Sequence, residues 1–149
     1  MGPPFAAKLI RDLMTPKPVC LFPDATIGEA LELMETRRFR HMPIIDQDRM
    51  LVGLISQRDI LRLAWPTGNK SQAQRLTQSA LVVDVMTRKV DTIDPDAPVH
   101  EAARYMLRTK RDSMPVVDET GHLIGIVTAA DFLREVVRQS PSHGQPDGN

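Results

Sequence analysis

Cysteine and net charge are both scarce in this chain of 149 residues. The single cysteine, Cys20, excludes an intramolecular disulfide and is typical of a protein from a reducing compartment. Lys and Arg number 19, and Asp and Glu also number 19, so the formal net charge at pH 7 is zero. This balance gives no electrostatic reason to expect DNA, RNA or an anionic membrane as a partner.

Long apolar segments and enzyme motifs are also missing. No apolar run approaches the ~20 residues that a membrane span requires, and residues 1–5 lack the basic start of a signal peptide. The four histidines show no metal-ligand spacing with one another or with Cys20, and no Ser-His-Asp set, Walker loop or dinucleotide-binding glycine pattern occurs. We therefore expect a cytoplasmic protein that is not an enzyme and that holds neither a metal nor a resident cofactor.

What the chain does have is an internal repeat. Shifting the sequence against itself by 72 residues aligns about fifty positions without a gap, and roughly a third of them are identical. The Asp-Leu-Met-Thr segment 12–15 falls on 84–87, and the Met-Pro pair 42–43 falls on 114–115. Two copies are too few for a solenoid, so we expect a closed pseudo-twofold pair.

Each copy is predicted to have the element order β-α-β-β-α, which makes the fold α/β. In the first copy a short extended segment, 19–21, precedes a helix that Thr26 and Glu29 open with a capping box. Apolar residues then recur on one helical face. Two β-branched strands around a polar turn predict a hairpin in each copy, and a second helix follows it.

The predicted boundaries are 8–64 for the first repeat and 81–138 for the second. Residues 65–80 are expected to form the linker, because a proline and a glycine break the preceding helix, and a short helix within 71–81 is compatible with the composition. Residues 139–149, with two prolines and two glycines, are predicted to be a disordered tail.

A Gly-x-x-Ser/Thr-x-x-Asp motif lies where a strand ends and a helix begins in both copies. It consists of Gly53, Ser56 and Asp59 in the first copy and of Gly125, Thr128 and Asp131 in the second. The N–H groups and dipole of a helix N-terminus suit a phosphate, and a carboxylate one turn later can accept hydrogen bonds from ribose hydroxyls. The same residues also fit a capping box, so the local pattern leaves both interpretations open.

Together these motifs resemble a pair of cystathionine-β-synthase (CBS) domains, also called a Bateman module. The resemblance rests on the Met-Thr start, the Met-Pro strand that ends in Asp, and the Gly-x-x-Ser/Thr-x-x-Asp segment, in the same order in both copies over residues 8–138. It implies a cleft-bearing sandwich of two repeats that binds AMP, ADP, ATP or a related adenosyl ligand. NAD and S-adenosylmethionine are further candidate ligands, and such modules often form homodimers.

The resemblance also implies two candidate sites, each assigned here to one copy. Asp59 would hold the ribose and Ser56 the phosphate in the first site, and Asp131 and Thr128 would do so in the second. The residues expected to bracket the base are Val19, Cys20, Met42 and Pro43 in the first site, and Asp91, Thr92, Met114 and Pro115 in the second. The remaining candidates, on the phosphate side, are Arg40, His41 and Arg58 in the first site, and Arg111 and Ser113 in the second.

We expect the second site to be less cationic than the first. Asp112 and Ala130 stand where the first copy has Arg40 and Arg58. Phosphate-rich ligands are therefore predicted to favour the first site.

The function favoured by these observations is a stand-alone regulatory module. An adenine nucleotide would bias one arrangement of the repeats, and an unidentified target protein would respond to it. Two alternatives stay open at this point. The basic run 37–41, which contains an aromatic residue, fits a nucleic-acid binder, and an assembly module with vestigial ligand sites is the other.

Overall fold

The computed structural model describes residues 8–64 and 70–140. The first repeat contributes α1 (Ile10–Leu13), β1 (Thr15–Pro16), α2 (Ile27–Arg37), β2 (His41–Ile45), β3 (Leu51–Ser56) and α3 (Gln57–Ala64). After it come α4 (Lys70–Ser79), α5 (Val82–Val85), α6 (Val99–Thr109), β4 (Ser113–Val117), β5 (Leu123–Thr128) and α7 (Ala129–Gln139). The predicted α/β fold with two tandem repeats is confirmed.

The hairpins have the same register in both repeats. His41 lies opposite Ser56 in the first hairpin, and Ser113 lies opposite Thr128 in the second. The extended segment predicted at 19–21 is reduced to one parallel bridge between Leu21 and its neighbouring strand. The prolines on both sides of this segment have no N–H to donate, which limits the ladder to a few bonds.

The first long helix begins where the sequence predicts. The Glu29 N–H donates to the Thr26 hydroxyl at 3.1 Å, and the Thr26 N–H donates to the Glu29 carboxylate at 2.9 Å. The helix ends at Arg38, whose φ of 59° is left-handed. At the start of α6, Pro98 occupies the position that Thr26 has at the start of α2. Both helices bury their apolar faces.

The N-terminal segment of each repeat packs on the hairpin of the other repeat. β1 pairs with β5, with Thr15 opposite Ile126, and Thr87 exchanges backbone hydrogen bonds of 2.9 and 3.0 Å with Leu54. Ile10 and Leu13 lie in the second repeat's core, whereas Val82 and Met86 lie in the first repeat's core. These contacts recur 72 residues apart, as the predicted pseudo-twofold pair requires.

Helix α4 occupies most of the segment 65–80 that the sequence assigns to a linker. It includes the helix expected within 71–81, and it contacts α2 and α3. The Ile27 N–H donates to the Ala80 carbonyl at 2.9 Å, which ties the segment to the start of α2. The predicted tail reaches the described residues only at 139–140, where α7 ends, and its remainder lies outside them. Within the ranges described, no helix is long and apolar enough to cross a bilayer.

Replacing Lys8 by methionine is expected to lower the free energy of unfolding by about 1.5 kcal/mol at neutral pH, the usual size for a hydrogen bond to a charged group. Glu135 on α7 is only 2% exposed and forms an ion pair with Lys8. The hydrogen bond from Lys8 is the main cause that holds the pKa of the Glu135 carboxyl below its usual range. Urea unfolding followed by circular dichroism measures the loss.

The pH dependence separates this ion pair from simple packing. Because the pKa of Glu135 is lowered in the folded state, the stabilisation is present above the ordinary glutamate pKa and is lost as the pH falls through the lowered value. The difference between wild type and the Lys8 variant should therefore shrink in acid. Lys89→Met, at an exposed lysine, is the control and should change little. A loss that is constant with pH would contradict the assignment.

Candidate functional site

Both Ser/Thr-x-x-Asp motifs cap the helices that follow them. The Ser56 N–H donates to the Asp59 carboxylate at 2.9 Å, and the Asp59 N–H donates to the Ser56 hydroxyl at 3.1 Å. In the second repeat the Thr128 N–H and hydroxyl both donate to one oxygen of Asp131, at 2.8 and 3.1 Å. The capping interpretation is thus confirmed, and it orients both carboxylates at the helix starts.

A cavity of about 570 Å³, called here the Asp131 cavity, lies at the start of α7. One wall comes from the second repeat, and the other comes from the segment after β1 and the residues around the start of β2. Its residues are Asp112, Ile126, Thr128, Ala129, Ala130, Asp131 and Arg134 from the second repeat, and Thr15, Lys17, Pro18, Val19, Arg38, Phe39, Arg40, His41 and Pro43 from the first.

A smaller cavity of about 220 Å³, called here the Asp59 cavity, lies at the start of α3. It is lined by Ser56, Arg58, Asp59 and Arg62 together with Leu54 and His41 from the first repeat, and by Thr87, Val90, Lys110, Arg111, Asp112 and Ser113. A side recess of about 370 Å³ shares His41, Ser56, Arg58, Lys110 and Asp112 with it and adds Arg40, Gln57 and Leu61.

The cavities therefore combine the predicted residues differently from the sequence-based assignment. Val19 and Pro43, expected beside Asp59, lie in the Asp131 cavity, and Arg111 and Ser113, expected beside Thr128, lie in the Asp59 cavity. The exchange of N-terminal segments brings Thr15 and Lys17 to the second hairpin and Thr87 to the first. Val19 and Pro43 stay with the first repeat, since Val19 packs on its core and Pro43 bonds to Leu21, and they reach the Asp131 cavity because this part of the first repeat faces the start of α7. Both cavities are lined by residues of both repeats, whereas the sequence-based assignment kept the residues of each site within one repeat.

Several candidate residues line neither cavity. Met42 and Met114 are 0% and 1% exposed, since their strands turn these side chains into the cores. Cys20 lies instead in an outer groove beside α2, and burial raises the pKa of its thiol, which fits an unreactive cysteine. Asp91 is held by Arg111 at 2.5 Å and by the Tyr105 hydroxyl at 2.9 Å. The other two candidates outside the cavities are Thr92 and Pro115.

The sequence analysis missed cationic residues at the Asp131 cavity. Lys17, Arg38 and Arg134 line it, so the deficit of positive charge expected beside Asp131 is not found. Arg134 also contacts the Asp131 carboxylate at 2.9 Å. The internal repeat could have identified two of these cations. Lys17 is identical to Lys89 in the other copy, and Arg134 is identical to Arg62, which lines the Asp59 cavity.

Ser113 gives the Asp59 cavity a buried polar atom without a partner. The residue is 5% exposed, and within the described part of the chain its hydroxyl makes no hydrogen bond. Buried hydroxyls are normally satisfied by protein or water. A ligand in this cavity would have an unused donor and acceptor close by.

Comparisons with known proteins give the family. The sequence model of the CBS domain matches residues 10–65 and again residues 82–138. A solved structure of CBSX2 in complex with AMP is 30% identical, with a TM-score of 0.77, and the match covers 89% of this chain and 98% of that chain. The CBS domain pair of protein MJ0100, solved with 5-methylthioadenosine and S-adenosyl-L-methionine, is 28% identical, with a TM-score of 0.74 over 89% of this chain and 98% of that one.

An enzyme that contains such a region is also similar. Inosine-5'-monophosphate dehydrogenase of Methanocaldococcus jannaschii is 32% identical over 126 residues, which is 85% of this chain and 22% of that protein. The similarity therefore concerns a limited part of the dehydrogenase. The two successive matches to one domain model, together with the shared fold, show that the chain belongs to the CBS domain family and contains a tandem pair of these domains.

Proposed function

We propose that this CBS pair binds an adenine nucleotide, or a related adenosyl ligand, in the Asp131 cavity and acts as a regulatory module. The observation that carries the proposal is the convergence there of a capped helix start, an oriented carboxylate, apolar walls and cations. The volume of about 570 Å³ is of the size that small-molecule sites have. Similar CBS pairs were solved with AMP and with S-adenosyl-L-methionine.

Each part of the ligand has a matching part of the cavity. The Asp131 carboxylate accepts hydrogen bonds from the ribose hydroxyls, while Thr128 and the N-terminus of α7 bind the phosphate. Val19, Pro43 and Ile126 provide apolar surface for the base. The cations available to phosphates are Lys17, Arg38, Arg40 and Arg134.

The Asp59 cavity is the second site in this proposal. Asp59 and Ser56 take the roles of Asp131 and Thr128, and Arg58 and Arg111 face the phosphate. Because the lining of this cavity offers a base less apolar surface, with Leu54 and Val90 as the apolar residues, we expect it to be the weaker site.

Signalling follows from the composite construction of the cavities. A ligand that touches both repeats favours the arrangement of repeats that fits it better, and only such differential affinity transmits a signal. The target protein that responds is unidentified. The proposed role is regulatory rather than catalytic, and the cytoplasmic location stays a prediction, since one relative is a chloroplastic protein of Arabidopsis thaliana.

The basic run 37–41 that favoured a nucleic-acid binder also lies at the proposed nucleotide site. Arg38, Phe39, Arg40 and His41, from the basic run 37–41, line the Asp131 cavity, and the three arginines of the run are exposed. A role in binding the phosphates of the nucleotide is therefore the one we propose for this run.

Isothermal titration of the whole chain tests the function. The ligands are AMP, ADP, ATP, NAD and S-adenosylmethionine, with GMP as the comparison. At a ligand concentration of about 100 times Kd, the folded state should gain about 2.7 kcal/mol, which a thermal-shift assay detects. Absence of binding by every adenine ligand, or binding of GMP as tightly as AMP, would overturn the proposal.

We also propose that two copies of this chain form a homodimer through the exposed apolar faces of α3 and α7, so Leu133→Asp is expected to give monomers. Leu61 on α3 and its repeat equivalent Leu133 on α7 are 58% and 67% exposed, and Val136 and Val137 of α7 are exposed as well. Exposed apolar faces of this kind mark interaction sites. Leu107→Asp, at a leucine on α6 that is 82% exposed, is the matched control. Light scattering gives the mass, and an unchanged mass for Leu133→Asp would contradict the interface.

A further inference from the structure

One pair of side chains separates the two ligand cavities. Of the residues described, His41 and Asp112 are the two that line the Asp131 cavity, the Asp59 cavity and the side recess. The His41 Nε2 atom lies 3.3 Å from Oδ1 of Asp112, so the first repeat touches the second between the sites. The His41 side chain is 20% exposed and that of Asp112 is 71% exposed.

The pair also connects to the capped helix start of each site. His41 lies directly opposite Ser56 on the neighbouring strand. On the other side, the backbone carbonyl of Asp112 accepts a hydrogen bond of 2.9 Å from the N–H of Ala129, the first residue of α7. A short chain of contacts thus leads from Ser56 to the helix that carries Asp131.

The pseudo-twofold axis does not reproduce this contact. The repeat equivalents of His41 and Asp112 are Ser113 and Arg40. The backbone hydrogen bond from Ala129 to Asp112 has an equivalent in the first repeat, where the Gln57 N–H donates to the Arg40 carbonyl at 2.8 Å. The side-chain contact is not repeated, because within the described residues the Ser113 hydroxyl has no partner. The connection between the sites is therefore present on one side of the axis.

We propose that Asp112 couples the two sites negatively, so that an anionic ligand in one cavity weakens the binding of a second anionic ligand in the other. The inference rests on the proposed function and concerns the regulation of its two sites. A phosphate that enters either cavity meets the same carboxylate. The exposed side chain of Asp112 turns away from that phosphate and towards the other cavity, where it repels the next one.

His41 does not remove this charge at neutral pH. Burial lowers the pKa of His41 below its usual value of 6.5, against the opposing effects of Asp112 and Asp59, while Arg40 and Arg58 lower it further. The imidazole is therefore neutral in the resting protein. It restricts where the Asp112 side chain lies without cancelling its charge.

The test compares AMP with uncharged adenosine by isothermal titration of the whole chain. Because the two cavities are proposed to differ in affinity, the reference for the Asp59 cavity is its Kd for AMP in Asp131→Ala, where the other site is lost. For wild type we expect the second AMP to bind about five- to tenfold more weakly than this reference, within the usual range of coupling between sites. Adenosine should show no such weakening. Asp112→Asn should reduce the weakening of AMP by at least about fivefold, whereas Asp48→Asn, an exposed aspartate in the first hairpin turn, is the control and should leave it unchanged.

Each outcome decides between coupling and the function itself. Two AMP molecules that bind independently to wild type would overturn the coupling and leave the proposed function intact. If wild type takes up one AMP, a second AMP bound by Asp112→Asn supports the proposal, and a single AMP in both proteins overturns it. Equal effects of Asp112→Asn and Asp48→Asn also overturn it. Absence of any AMP binding removes the proposed function, and the coupling with it.

Discussion

Asp131→Ala is expected to weaken AMP binding about ten- to a hundredfold, because a hydrogen bond to a charged group contributes about 1.5–3 kcal/mol. The carboxylate lies at the larger cavity and is the group placed to accept from the ribose hydroxyls. The Asp131 side chain is 9% exposed, so its removal leaves the ribose hydroxyls facing a largely buried position. Titration calorimetry with AMP gives the ratio of Kd values.

Two matched variants distinguish ligand binding from helix capping. Asp59→Ala removes the equivalent carboxylate at the smaller cavity, so it should abolish the weaker site and retain the tighter one. Asp12→Ala removes an aspartate that also bonds to a backbone N–H, at 2.9 Å from Leu9, but that lines neither cavity. Thermal unfolding shows whether each variant is folded. Equal loss of AMP affinity in Asp131→Ala and Asp12→Ala would mean that Asp131 acts through stability alone.

The elements of each repeat could be predicted because their signals are local. Thr26 and Glu29 lie three residues apart, and that spacing alone specifies the start of α2. The hairpins follow from β-branched runs on both sides of polar turns. The repeat then predicts the second half from the first, as far as Pro98, which starts its helix without a side-chain bond.

The residues that line each site could not be predicted, because the internal repeat does not show which hairpin each N-terminal segment packs against. Val19 follows a Met-Thr segment that fits either hairpin equally well in the alignment, since both hairpins have the same pattern. Only the packing of Ile10 and Leu13 into the other repeat's core decides the question. Val19 itself packs on the first repeat's core, and it lines the Asp131 cavity because this part of the first repeat faces the start of α7, a relation between the repeats that no local pattern describes.

The cations of the larger cavity were missed for a related reason. Lys17 and Arg38 both have positive φ values, 47° and 59°, which is uncommon for residues other than glycine. Sequence patterns for helices and strands do not describe such positions. Arg134 lies one helical turn after Asp131, whose carboxylate it contacts. It was missed because the Ser/Thr-x-x-Asp motif ends at Asp131.

Gly125→Ala is expected to lower the free energy of unfolding by about 1–3 kcal/mol, the usual cost of overpacking a core. Gly125 is buried on β5, directly against the segment that the first repeat contributes. A Cβ atom there would lie 2.5 Å from the Met14 sulfur and 3.1 Å from the Thr15 carbonyl oxygen. The methionine side chain can turn aside, but the paired backbone of β1 has to move. Urea unfolding measures the loss.

Gly28→Ala is the matched control for this substitution. Its Cβ would come no closer than 3.4 Å to a neighbouring atom, the Thr77 carbonyl oxygen, and alanine favours a helix over glycine by about 1 kcal/mol. This variant should be as stable as wild type or more stable. Because β1 leads directly to Lys17 and Val19 in the Asp131 cavity, Gly125→Ala should also weaken AMP binding, whereas Gly28→Ala should not. Unchanged stability of Gly125→Ala would show that β1 does not pack on β5, and the composite cavity would then lose its structural basis.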